Sequence, residues 1–279
     1  MAANFAVKKV VRLEAGGSAQ NYWSDVFRYR ELFVVLAGRD LAVRYKQTTI
    51  GILWAVLRPL LTMMVFTFVF ERVAKLPSEG APYALLVFSG MVPWFFFASS
   101  VSESSGSLVA NSNLLSKVYF PRILIPTSSV LVAAVDFLIA MLLLVVLMPF
   151  FNVLPSWKLL TLPVFLLIAL AAALGLGLCF SALNIRYRDF QFIVPFLLQL
   201  GIYISPVGFS SSVVSDAWRL VYALNPMVGV IEGFRWAVLG GNFGIRWDVL
   251  AVSGSVALVL LCTGVIFFRR FERGIADVI

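Results

Sequence analysis

The sequence predicts an all-α integral membrane protein with six transmembrane helices, an N-terminal amphipathic interfacial helix and a re-entrant periplasmic hairpin between spans five and six. Three observations lead there. Of the 279 residues, 61% are hydrophobic and 13% charged, against about 45–50% and 25% in an ordinary soluble domain. Six apolar stretches approach the roughly 20 residues needed to cross a hydrocarbon core about 30 Å thick. The Lys and Arg behind the net charge of +8 gather near the N-terminus and in short connections between apolar runs. That is the pattern of topology signals, not of a nucleic-acid surface. No Pro/Ser/Gly-rich linker divides the chain, so residues 1–279 read as one membrane domain.

The first element, residues 28–46, is read as a helix lying along the membrane surface. At 100° per residue Tyr29, Leu32, Phe33, Leu36 and Val43 share one side, and Arg28, Arg39 and Lys46 a neighbouring one. The six spans follow at about 51–70, 84–102, 125–150, 159–183, 190–209 and 249–268. With the N-terminus inside, fifteen Lys and Arg fall on the cytoplasmic side and six on the other, which puts both termini in the cytoplasm. The charged start, with Lys8, Lys9, Arg12 and Glu14, lacks the apolar core of a signal peptide. The stretch 220–239 is apolar enough to compete as a seventh span. However, Asn225-Pro226 breaks it, Glu232 and Arg235 charge its second half, and a seventh crossing would move Arg269, Arg270 and Arg273 outside. Residues 215–240 are therefore expected to form a re-entrant hairpin, its irregular turn buried in protein.

The chemistry available is narrow. Histidine is absent, which removes the commonest general base and metal ligand. Cys179 and Cys262 lie in apolar runs with no ligand beside them and read as packing residues. None of the six lysines follows a glycine, so no Walker loop is present. No Asp-x-Asp pair offers a metal–sugar-nucleotide site. No catalytic residue and no metal site are predicted. Two polar residues fall inside spans: Arg58, beside Pro59 in the first, and Asp136 in the third. An intramembrane carboxylate costs about 2.5–3.5 kcal/mol on insertion scales and faces protein or water. Asp136 is expected to serve function or to bond a neighbouring helix, with Arg58 as the candidate partner. Pro195, Gly201, Pro206 and Gly208 punctuate the fifth span, where other groups must satisfy the freed backbone.

Four segments carry a family resemblance: RYKQTTIGILWAVLRPLLTMMVFTFVF (44–70), VYFPRILIPTSSVLVAAVDF (118–137), NIRYRDFQFIVPFLLQLGIYISPVGFS (184–210) and ALNPMVGVIEGFRWAVLG (223–240). In order and content they resemble the membrane subunits of ABC exporters for bacterial polysaccharides, the group that exports O-antigen, capsule and teichoic acid. The resemblance implies a permease of the bacterial inner membrane that carries a lipid-linked glycan, O-antigen first. It implies a second copy of the chain and two cytoplasmic ATPase subunits, with ATP and magnesium bound on those partners and no cofactor here. Asn111, Asn113, Lys117, Tyr119 and Arg122 resemble the family's gate and coupling region, and Arg186, Arg188 and Asp189 its other inner contact. A glycan that slides without being held suits flat aromatic faces. Trp94, Tyr203, Trp218 and Trp236, near the outer end, are therefore candidates for the translocation path, with interfacial anchoring as the competing role. The alternatives are an ABC-2 permease for another lipid, drug or small molecule, and a membrane glycan polymerase or acyltransferase.

Overall fold

The structure is a computed structural model that describes residues 22–46, 51–118, 120–241 and 243–275. Every regular element among them is helical. The N-terminal segment forms α1 (Tyr22–Arg28) and α2 (Arg30–Lys46), and α3 (Gly51–Thr67) continues into a π-helical turn at Phe68–Val73. Then come α4 (Tyr83–Ala110), the single turn α5 (Ser112–Leu115), α6 (Leu124–Phe150), α7 (Leu162–Arg186) and α8 (Phe190–Ile204). Two short helices, α9 (Asp216–Tyr222) and α10 (Pro226–Leu239), precede the final α11 (Trp247–Ile275).

Five helical segments are long and apolar enough to cross a membrane: Leu53–Val73, Tyr83–Ala110, Leu124–Phe150, Trp157–Arg186 and Trp247–Glu272. The expected span at 190–209 is different. Its helix, α8, stops at Ile204 after 15 residues, about 22 Å of rise, and residues 205–210 are unwound. The stretch 220–239 is not one helix either. Asn225 accepts the Met227 N–H at 3.1 Å and Pro226 opens α10, so a cap and a first-turn proline start a new helix there.

The long helices overshoot. At 28 residues α4 is about 42 Å long, some 12 Å more than a hydrocarbon core. The surplus packs against α1 and α2 in a separate apolar cluster built on Leu36, Leu108, Phe120, Ile125, Leu178 and Phe268. We call this the α2 end and the opposite one the far end. Of the residues expected on one apolar side, Tyr29, between α1 and α2, and Leu32, Phe33 and Leu36 enter this cluster. Val43 is 56% exposed, and Val34 and Val35, on other sides of the helix, are 66% and 65% exposed. At the same end the Glu272 carboxylate accepts the Tyr22 hydroxyl at 2.8 Å and the Arg122 backbone N–H at 2.8 Å. Arg269 stacks 4.5 Å over the Tyr22 ring. Burial, then the Glu272 charge, pushes the Tyr22 phenol well above its ordinary value, so it remains a donor.

The main core is centred on α4, α6, α7 and α10. Glycines set the closest approaches. A Cβ on Gly264 of α11 would stand 2.2 Å from the Gly175 carbonyl oxygen of α7, and one on Gly175 would stand 2.4 Å from the Leu260 carbonyl. Small residues let membrane helices meet backbone to backbone, and here no side chain fits between them.

Candidate functional site

A cavity of about 680 Å³ lies between the end of α2 and the helices α3, α4, α6 and α8. Its α2 end is charged. Arg44 bonds Glu103 at 3.0 Å and Asp136 at 2.6 Å, and the Tyr45 hydroxyl donates to the other Asp136 oxygen. Burial and then the Asp136 contact hold the Tyr45 phenol far above its usual value. Arg58 also lines the cavity, its guanidinium 6.0 Å from the Phe95 ring centre. Ser99, Ser102, Gln199, Trp54, Trp94, Phe95 and Phe96 complete the lining. One chamber thus joins guanidinium, carboxylate, hydroxyl and aromatic carbon.

This geometry corrects the expected partner of Asp136, which is Arg44 with Tyr45 and not Arg58. α6 runs beside α2, whose last residues bring Arg44 and Tyr45 to Asp136, midway along α6. Arg44, Tyr45 and Glu103 were not singled out from the sequence. Glu103 gave one signal, since it is the first charge after the apolar run 84–102.

The predicted coupling residues fall into two groups at the α2 end. Asn111 ends α4, with its side-chain N–H₂ on the Ser107 carbonyl at 2.8 Å and its side-chain oxygen accepting from Arg39 at 2.7 Å. Asn113 and Lys117 are exposed, and Tyr119 lies outside the described residues. Arg122 is half-buried and donates to the Glu272 carbonyl at 3.0 Å. Arg186, Arg188 and Asp189 form an exposed turn between α7 and α8, Arg186 lying 5.4 Å from the Tyr187 ring. The path candidates are dispersed. Trp94 is buried, and Gly201 leaves room for its ring, which a Cβ would meet at 2.6 Å. Tyr203 stacks on Phe66 and is 60% exposed, Trp218 is 66% exposed, and Trp236 lies under Lys158 at 4.9 Å.

At the far end the unwound segment after α8 is held by side chains from three other elements. Tyr222 donates to the Ile204 carbonyl at 2.8 Å and Tyr83 to the Gly208 carbonyl at 2.8 Å. Arg235, only 2% exposed, donates to the carbonyls of Val207 at 3.0 Å, Phe209 at 2.8 Å and Leu86 at 3.2 Å. Gly90 makes room, since a Cβ there would stand 3.2 Å from the guanidinium. Sequence reading counted Arg235 among the outer-side charges; its place is inside the protein.

A family model described as ABC-2 type transporter matches residues 31–239. The chain is similar to the O-antigen export system permease protein RfbA of Myxococcus xanthus, 33% identical over 251 residues that cover 89% of this chain and 96% of that one. A protein of the same description from Klebsiella pneumoniae is 27% identical over 253 residues, 89% and 95% of the two chains. The polysialic acid transport protein KpsM of Escherichia coli is 25% identical over 244 residues, 84% and 91%.

Proposed function

The chain belongs to the ABC-2 type transporter family, and from that premise we propose that it is the channel subunit of an ATP-driven exporter that carries a lipid-linked polysaccharide, O-antigen in the first instance, across the bacterial inner membrane. The observation that carries this reading is a cavity that holds a guanidinium beside aromatic walls. A glycan joined to its lipid through phosphate offers an anionic junction and a run of sugar rings. Arg58 meets the first, and no carboxylate among the described residues pairs with it. Trp54, Trp94 and Phe95 meet the C–H faces of the second. An apolar drug has no use for the guanidinium.

In this reading the α2 end is cytoplasmic, both termini are inside, and α8 with its unwound extension makes the sixth crossing. The α9–α10 pair is the re-entrant hairpin on the outer side. A second copy packs against α3 and α8: α3 is mostly exposed, and α8 is too short to face lipid alone. Two ATPase subunits, binding ATP and magnesium, dock at the α2 end on the turns holding Lys117 and Arg186–Asp189. Arg122 takes part only by giving up Glu272. Among the aromatic residues, Tyr203 and Trp218 are free to face a path, while Trp94 serves as cavity wall.

Arg58→Gln tests the cavity. One charge-assisted hydrogen bond is worth about 1.5–3 kcal/mol, so surface glycan in a strain complemented with this variant falls roughly tenfold or more at unchanged protein level. Wild-type export by Arg58→Gln and by Trp54→Leu would remove the cavity from the path. Reversing both Arg186 and Arg188 to Glu is expected to abolish export and ATPase co-purification while the chain stays in the membrane. Normal export by that double variant would overturn the docking assignment.

A further inference from the structure

A second cavity, about 230 Å³, sits at the far end between the 74–82 loop, the segment after α8, α9, α10 and residues 243–246. In a bundle whose interior is apolar, eight of its ten lining residues are polar, so it is built for a polar occupant. Part of that polarity is already used. Arg235 is taken up by three carbonyls, and Glu79 accepts the Ser210 hydroxyl. Arg219 is used incompletely: one terminal nitrogen bonds Asp216 at 2.5 Å and the other the Val214 carbonyl at 3.3 Å. Its Nε–H is buried and has no acceptor among the described residues. A buried donor left this way costs about 1–3 kcal/mol, and an oxygen entering the cavity would remove the cost.

The charges narrow the class of ligand. Three guanidiniums line the cavity with the carboxylates of Glu79 and Glu232, and Asp216 and Asp248 pair Arg219 and Arg246 from the rim. Positive charge is fully balanced, so no surplus draws a phosphate. No acidic group among the described residues is clustered to hold a metal. What fits is a neutral molecule carrying many donors and acceptors at once. A ring hydroxyl can donate to Glu232 while its oxygen accepts from Arg219, and Phe243 supplies one apolar wall. We propose that this cavity binds a single neutral pyranose unit, a resting place for a glycan leaving the membrane that keeps it from sliding back between strokes. The choice of ligand rests on the export reading above.

The test uses the purified full chain in lipid nanodiscs and saturation-transfer NMR with D-glucose, D-galactose, D-mannose and L-rhamnose, each alone, and with inorganic phosphate as competitor. At least one pyranose is expected to give a saturable signal that phosphate leaves unchanged. Glu232→Gln and Arg219→Gln each weaken it tenfold or more, and Gly38→Ala, in α2 and outside both cavities, preserves it. Should either variant unfold, Ser211→Ala, which removes the hydroxyl bonded to Glu232, takes its place in the same comparison. The proposal is overturned if none of the four sugars gives a signal, if phosphate competes, or if the signal survives the far-end variants. Normal surface glycan beside a silent NMR experiment overturns this site and leaves the export function standing.

Discussion

Replacing Arg235 with Met is expected to cost about 3–5 kcal/mol, enough to remove most of the protein from the membrane fraction. The side chain is buried, and all three of its bonds go to backbone carbonyls, two of them in the unwound 207–209 segment. Methionine keeps much of the volume but donates nothing. Each hydrogen bond from a charged donor is worth about 1.5–3 kcal/mol, and each orphaned buried acceptor costs about 1–3 kcal/mol. Burial draws the guanidinium down to about 10, still far above neutral pH, so the native group is charged. Arg235→Lys recovers only part, since one ammonium cannot fork to three carbonyls. Thermal unfolding of the purified variants checks this; a melting temperature for Arg235→Met within about 2 °C of the parent, roughly what 1 kcal/mol produces in a chain of this size, would show that the carbonyls find other donors.

Gly264→Ala is expected to be the second most damaging single change. The new methyl would lie 2.2 Å from the Gly175 oxygen and 2.8 Å from its carbonyl carbon, so α7 and α11 must separate by about 1 Å along one of the most extensive contacts in the bundle. Overpacking of this kind costs about 1–3 kcal/mol, and the value belongs at the upper end because both obstacles are backbone. Gly38→Ala is the opposite case. That glycine lies in α2 with nothing within 4 Å of a built Cβ, so the change is expected to gain about 0.5–1 kcal/mol through helix propensity. Melting curves that rank the two the other way would refute the crossing geometry.

Five of the six expected spans were legible because a hydrocarbon core imposes a length that composition reveals directly. Asn225-Pro226 was legible for a local reason, since cap and first-turn proline are adjacent in the chain. The partner of Asp136 was not, because Arg44 is separated from it by the whole of α3 and α4 and looked like one more positive charge at the membrane surface. Arg235 was misread for a related reason. Hydropathy registers a guanidinium as a charge to be kept in water and cannot see carbonyls freed elsewhere. The punctuation of the fifth span by Gly201, Pro206 and Gly208 did announce that such carbonyls exist, and the donors were the polar residues of the neighbouring apolar stretches, Tyr83, Tyr222 and Arg235.

The bond between Tyr22 and Glu272 joins residues 250 positions apart. At roughly 5–20 residues per second, a ribosome takes on the order of 10–50 s to make that stretch. Until Phe268 is made, the apolar surface of Leu36, and then of Phe120 and Ile125, has nothing from α11 to cover it, and the first helices must wait for the last. Biogenesis therefore leaves an open hydrophobic face at the α2 end until translation is nearly done, a face suited to transient protection by a chaperone.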